Sequence, residues 1–248
     1  MLKKLLTPKW ILTTLLVLAA IAVLARLGIW QLDRLELRRA FNAHYLAVMA
    51  MPPLEISAAP AEDLSAMEYR AATVTGVYDY EHQIALRNRY YGNVYGYHLL
   101  TPLILSDGSA ILVERGWIPA SGNETSADWR KYDQPGQITL SGILRLGQEP
   151  EMGGVPDPEL VEGQTRLEFW NNVNLARIAS QTPTPLLPVF FQPEYDPADS
   201  QPPIIPARAE IEISEGPHFG YAMQWFTFAI MLALGYPFFL RKQLSERK

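Results

Sequence analysis

An uncharged apolar run near each end of the chain limits its possible folds more than any other feature. Residues 219–240 are 22 consecutive residues without a charged side chain. As a helix they cover about 33 Å, enough for the hydrocarbon core of a bilayer. Aromatic residues cluster at both ends of this run (Phe219, Tyr221 and Trp225, then Tyr236, Phe238 and Phe239), where membrane interfaces favour them. Near the other end, residues 10–25 form a 16-residue apolar run, which Leu27, Gly28, Ile29 and Trp30 extend past Arg26. A helix over 10–30 spans about 30 Å, with Arg26 snorkelling toward the headgroups. A buried core helix competes for the second run, and a secretory signal peptide for the first, given Lys3, Lys4 and Lys9 and the small residues Ala20, Ala22 and Ala25. The first apolar run exceeds a signal h-region. Leu32, Leu35, Phe41, Tyr45 and Val48 then continue at helical spacing to about Met49. An uncleaved anchor is expected.

Charge supplies the topology. Residues 1–10 and 241–248 each carry +3, Arg26 adds one, and the net charge of -5 leaves -12 for 27–240. The positive-inside rule then predicts a cytoplasmic tail over 1–9 and spans over 10–30 and 218–240. Residues 31–217 are expected outside the cytoplasm, and 241–248 form a second cytoplasmic tail. The absence of cysteine removes disulfides, thiolate metal sites and covalent c-type haem attachment. A negative chain with no basic domain does not fit nucleic acid.

Between the spans, Pro52 and Pro53 end the emerging helix, and the stretch to Ala61 reads as a linker. Residues 70–78, 97–105, 110–117 and 137–144 have strand patterns, and 188–191 and 209–213 resemble late strands. Residues 174–180 suit a short helix. Ser106, Asp107, Gly108 and Ser109 predict a hairpin turn, with Val113 and Trp117 facing the core. Arg115 shares their alternation and therefore needs a partner. Twenty prolines mark turns and edges. The expected fold class is an α+β membrane protein, two transmembrane helices flanking a β-rich extracytoplasmic domain built as a small barrel or sandwich.

No GxSxG, HExxH, Gly-rich phosphate loop or CxxC occurs, so no enzyme is expected. The informative segment is the entrance to the second span. His218 opens the helix, and Tyr221 and Trp225 follow at i+3 and i+7 on one face. An imidazole there suits an axial haem ligand, with aromatic rings to pack on a flat macrocycle. A belt residue bonding lipid headgroups is the bland alternative. On the first span, Trp30 is expected at the depth of His218. Arg34 and Arg38 stand a turn above, within reach of haem propionates or lipid phosphates.

These residues also carry a family resemblance. Leu27-Gly28-Ile29-Trp30-Gln31 with Arg34, Arg70 with residues 76–79, and Arg87-Asn88-Arg89 followed by Gly96-Tyr97 come first. Thr101-Pro102-Leu103, the ILVERGWIP segment at 111–119, and finally His218, Tyr221 and Trp225 complete the order. Together they resemble the Surf1 family of cytochrome c oxidase assembly factors along almost the whole chain. The resemblance implies a two-span protein of the bacterial inner membrane that binds haem a and aids its insertion into subunit I. It implies His218 as ligand to the haem iron, and Tyr221, Trp225, Trp30 and Arg34 as its surroundings. The implied partners are cytochrome c oxidase subunit I, haem a synthase and membrane lipids. Two departures stand out: Leu37-Arg38 replaces a common Trp-Lys pair, and Gly216-Pro217-His218 replaces a common Asn-x-His. A scaffold for nascent subunit I that never touches cofactor is an alternative. So is a copper-site factor using His44, Met49 and Met51.

Overall fold

The computed structural model describes residues 7–148, 154–161, 163–194 and 213–245. It divides into two units, Met1–Tyr45 with Ile211–Lys248, and Leu46–Glu210.

The first unit is a helix pair. Helix α1 (Pro8–Met49) starts on a proline, whose fixed φ and missing N–H suit a first turn. It ends just before Pro52 and Pro53, as expected. Helix α3 (His218–Ser245) carries Pro237 inside it. Both helices are long and apolar enough to cross a membrane. They pack through the Trp10 and Phe239 rings, 6.4 Å apart, and a 2.7 Å hydrogen bond between the Thr14 and Tyr236 hydroxyls. Most of their large apolar side chains, Leu12, Leu16, Val23, Ile230, Leu234 and Phe238 among them, stay exposed.

The second unit is the β-rich domain. Its strands are β1 (Leu54–Ile56), β2 (Ala71–Tyr78), β3 (Ile84–Tyr91), β4 (Val94–Ile104), β5 (Ala110–Pro119), β6 (Gln137–Arg145), β7 (Phe169–Trp170) and β8 (Leu186–Pro193). They form one sheet in the order β1-β2-β6-β8-β5-β4-β3-β7, and a further β2–β4 pairing closes five of them into a barrel. Closure runs through Val77 opposite Ile104 and Tyr78 opposite Leu103. Val74, Leu103, Ile111, Val113, Leu144, Val189 and Phe191 come from all five closing strands and form one core. A second core, with Ile84, Leu100, Leu112, Trp170, Ile178 and Phe190, packs beneath α2 (Leu175–Ser180). Strand β5 therefore has both faces covered: every residue from Ala110 to Ile118 is buried, so its sequence opens on the apolar run Ala110–Val113 instead of alternating, and its two charged residues, Glu114 and Arg115, are buried as well. Asn174 caps α2, its side chain accepting from the Arg177 N–H at 3.0 Å.

The predicted hairpin is present: β4 and β5 pair antiparallel, Ile104 opposite Ala110. Several details differ from the sequence-based expectation. Strands β3 and β7 form where no strand pattern was read. The stretch read as linker contains β1, which pairs parallel to β2. A bulge sets Leu99 opposite Gly116 and Leu100 opposite Glu114, leaving Arg115 as the extra residue. That bulge re-aims the side chains beyond Arg115. Trp117 is buried, but it packs on Tyr91 (5.5 Å between rings) and outside the barrel core. Arg115 finds the partners it needs, donating to Gln83 Oε1 at 2.8 Å and to the Tyr132 carbonyl. Its guanidinium lies 4.9 Å and 5.0 Å from the Tyr78 and Tyr80 ring centres. Of the late strand expected at 209–213, residues 209–212 lie outside the described residues, and Ile213 is not in a strand.

Several segments singled out in the sequence meet at Trp117. Its indole N–H donates to the Arg89 carbonyl at 3.3 Å and its ring crosses Gly96. A Cβ at Gly96 would lie 2.1 Å from the Ile118 carbonyl and 2.5 Å from the Trp117 indole nitrogen. Backbone cannot rotate out of the way, so Gly96→Ala is expected to destabilise the domain by about 1–3 kcal/mol. An unchanged urea midpoint for the full chain in detergent would contradict this.

Glu114 is 8% exposed and faces His98 Nδ1 at 2.5 Å, with Gln192 donating to its other oxygen at 3.0 Å. Burial alone would raise its carboxyl. The bond and charge of His98, the Arg89 charge and the Gln192 amide outweigh that and hold it below its ordinary 4.5. A depressed folded value means the contribution to stability is complete above the ordinary value and is lost as pH falls through the folded one. The acid-side fall in melting temperature should therefore be shallower in Glu114→Gln than in the parent chain. Equal slopes would refute the pairing.

Candidate functional site

The site forms where the chain enters α3. Gly216 has φ +65, in the left-handed region that glycine and asparagine tolerate best. That conformation gives a physical reason for a glycine standing where an asparagine is common. Pro217 then opens the first turn, its carbonyl accepting from the Tyr221 N–H at 3.1 Å.

His218 is half-buried, and its Nδ1 lies 2.8 Å from Gln31 Oε1 on α1. A carboxamide oxygen only accepts, so this bond places the ring proton on Nδ1 and leaves the lone pair on Nε2. A side chain at residue 216 would set its Cβ 3.6 Å from that Nε2; glycine leaves the approach clear. Metal-binding imidazoles are commonly oriented by such a bond from the far ring nitrogen. The site thus offers one oriented nitrogen base.

The other expected residues are arranged around it in part. Trp30 adjoins Gln31 and is exposed, and the Arg34 guanidinium lies 5.6 Å from its ring centre. Tyr221 is exposed, whereas Trp225 is half-buried, 6.3 Å from Phe228. Among the described residues, no ring contact joins Trp30 to Tyr221 or Trp225, and Arg34 has no ion pair. An aromatic surface on each helix and one cation therefore accompany His218. This set fits a flat, anionic macrocycle bound through its metal.

Gln31 was not foreseen. It stood inside the Leu27–Gln31 motif, but its partner is 187 residues away in sequence, so no local pattern marks it. A second group holds the approach to α3, and Arg38, expected near propionates or lipid phosphates, belongs to it. Arg38 Nε and Asn42 Nδ2 each donate to the Ser214 carbonyl at 3.1 Å, and Arg39 grips Glu215 through two bonds of 2.7 and 2.8 Å. These bonds fix residues 214–215 to α1 and so help set His218 level with Gln31. For the copper alternative, His44 and Met49 are exposed and five positions apart on α1. That spacing turns them about 140° from each other, off any shared face. Among the described residues, no group of three His, Asp or Glu side chains could hold a metal ion.

A model of the SURF1 family matches residues 18–230. The chain belongs to the SURF1 family. It is 26% identical to an uncharacterised SURF1-like protein of Mycobacterium tuberculosis over 249 residues, 98% of this chain and 88% of the relative. A SURF1-like protein of Rickettsia conorii is 24% identical over 236 residues, 94% of this chain and 93% of the relative. One of Dictyostelium discoideum is 23% identical over 253 residues, covering 87% and 92%. The SURF1 match takes in Trp30, Gln31 and Arg34, the whole barrel, and His218 to Trp225. SURF1 membership implies a role in cytochrome oxidase assembly.

Proposed function

We propose that this protein holds haem a through His218 and aids its insertion into subunit I of cytochrome c oxidase. The observation that carries the reading is the 2.8 Å bond from His218 to Gln31, which leaves Nε2 free to meet iron. Trp30, Tyr221 and Trp225 supply flat apolar surface, and Arg34 supplies a cation for a propionate. Both helices cross the bacterial inner membrane, with both termini cytoplasmic and the barrel periplasmic. The +3, -12, +3 charge layout supports that orientation. Haem a synthase is the expected source of the cargo and membrane lipids surround the helices; none of this is enzymatic.

Purification from cells that co-express haem a synthesis, followed by an absorption spectrum, tests the reading. Haem a bands at near-stoichiometric level are expected. Their absence from a well-folded preparation would favour a scaffold for nascent subunit I. Gln31→Leu probes the orienting bond: second-sphere losses of this kind weaken a metal ligand by about 10–100-fold. Haem should be retained weakly, with an altered spectrum. An unchanged spectrum and affinity would remove Gln31 from the site.

A further inference from the structure

We propose that the tip of the β3–β4 hairpin is an interfacial foot, resting in the headgroup layer of the membrane that carries the two helices. The proposal rests on the membrane reading above. Strands β3 and β4 are joined through Gly92 and Asn93, with Tyr90 opposite Tyr95 and Tyr91 opposite Val94. All four of these side chains are exposed, Tyr90 by 63% and Val94 by 53%. The tip is nevertheless held firmly. The Tyr90 and Tyr95 rings are 5.4 Å apart, Tyr91 packs on Trp117, and Trp117 bonds back to the Arg89 carbonyl.

Among the described residues, the hydroxyls of Tyr90, Tyr91 and Tyr95 bond to nothing in the protein. A tyrosine with an apolar ring and an unpaired hydroxyl suits the boundary between acyl chains and water. Charge agrees with that occupant. From residue 82 to 106 the chain has Arg87 and Arg89 and no Asp or Glu, inside a segment that is strongly acidic overall. The neighbouring carboxylate Glu114 is buried and committed to His98 and Gln192, and Glu124 accepts from the Gly122 N–H. Arg87 lies over the Phe169 ring at 4.7 Å and has no ion pair among the described residues. Anionic headgroups therefore attract this end and repel the rest of the acidic domain.

The chain has no cysteine, so Asn93→Cys accepts a single environment-sensitive fluorophore at the tip. Glu55→Cys, at the one exposed position of β1, serves as the control. The full chain is reconstituted into vesicles of phosphatidylcholine and phosphatidylglycerol and floated on a density gradient. Failure to float would overturn the membrane reading itself, and the foot with it. In floated protein, lipids bearing a headgroup nitroxide should quench the label at 93 several-fold more than the label at 55. Tyr90→Ser with Val94→Ser should abolish the difference. Equal quenching at the two positions in floated protein would overturn the foot and leave the membrane reading standing. A blue-shifted label at 93 that the nitroxide lipids do not quench would mean a protein contact, which also overturns it.

Discussion

His218→Ala should strip most haem a from the purified protein while its amount in the membrane stays normal. The imidazole is the one oriented nitrogen base at the site, whereas Trp30, Tyr221 and Trp225 offer packing alone. A net hydrogen bond contributes only about 1 kcal/mol, so losing the 2.8 Å bond to Gln31 will not unfold the helix pair. Arg34→Ala should do less, because an exposed pairing is screened and water partly replaces it. Haem content and oxidase maturation are best read together. Unchanged haem with impaired maturation would move the protein to the scaffold reading. Unchanged haem with normal maturation would reduce His218 to a belt residue.

The largest stability effect is expected at Trp129. The residue is fully buried, its indole N–H donates to the Asn123 carbonyl at 3.0 Å, and its ring meets Phe169 edge-on at 5.3 Å. It closes a cluster with Ala85, Leu99 and Ile118 outside the barrel core. Trp129→Ala removes the ring and leaves a cavity, at a cost of about 3–5 kcal/mol. That is a large part of the about 5–15 kcal/mol that holds a typical domain folded. Trp129→Phe retains most of the volume and should lose less, chiefly the bond to Asn123. Denaturant unfolding followed by near-ultraviolet dichroism separates these outcomes. A loss below about 1 kcal/mol for the alanine variant would show that the cluster collapses onto the space.

Both predictions concern residues whose importance comes from different levels of organisation. His218 could be picked out from sequence because it opens an apolar run and stands at i, i+3, i+7 with two aromatics. Trp129 could not, because it sits in a short 3-10 segment between loops, and the side chains that bury it come from β3, β4 and β5. Arg115 lies between these cases. Its alternation with Val113 and Trp117 predicted burial with a partner, but the partners Gln83 and Tyr132 come from other elements.

Sequence alone determined the elements whose causes are local. The two long apolar helices follow from uninterrupted hydrophobic runs, the β4–β5 hairpin from Asp107-Gly108 between apolar strands, and α2 from its Asn174 cap. Tertiary structure decided everything that depends on distant closure. The β2–β4 pairing makes a barrel out of a strand set that could have been a sandwich. Short β1 and β7 are too brief to show a period and exist only because β2 and β3 offer them an edge. The bulge at Arg115 breaks the period-2 pattern by which strand faces are assigned. Gln31 became a site residue only when the second helix brought His218 beside it. Periodicity reports a residue's neighbours within one element; which elements then meet is set by packing, and no local pattern records it.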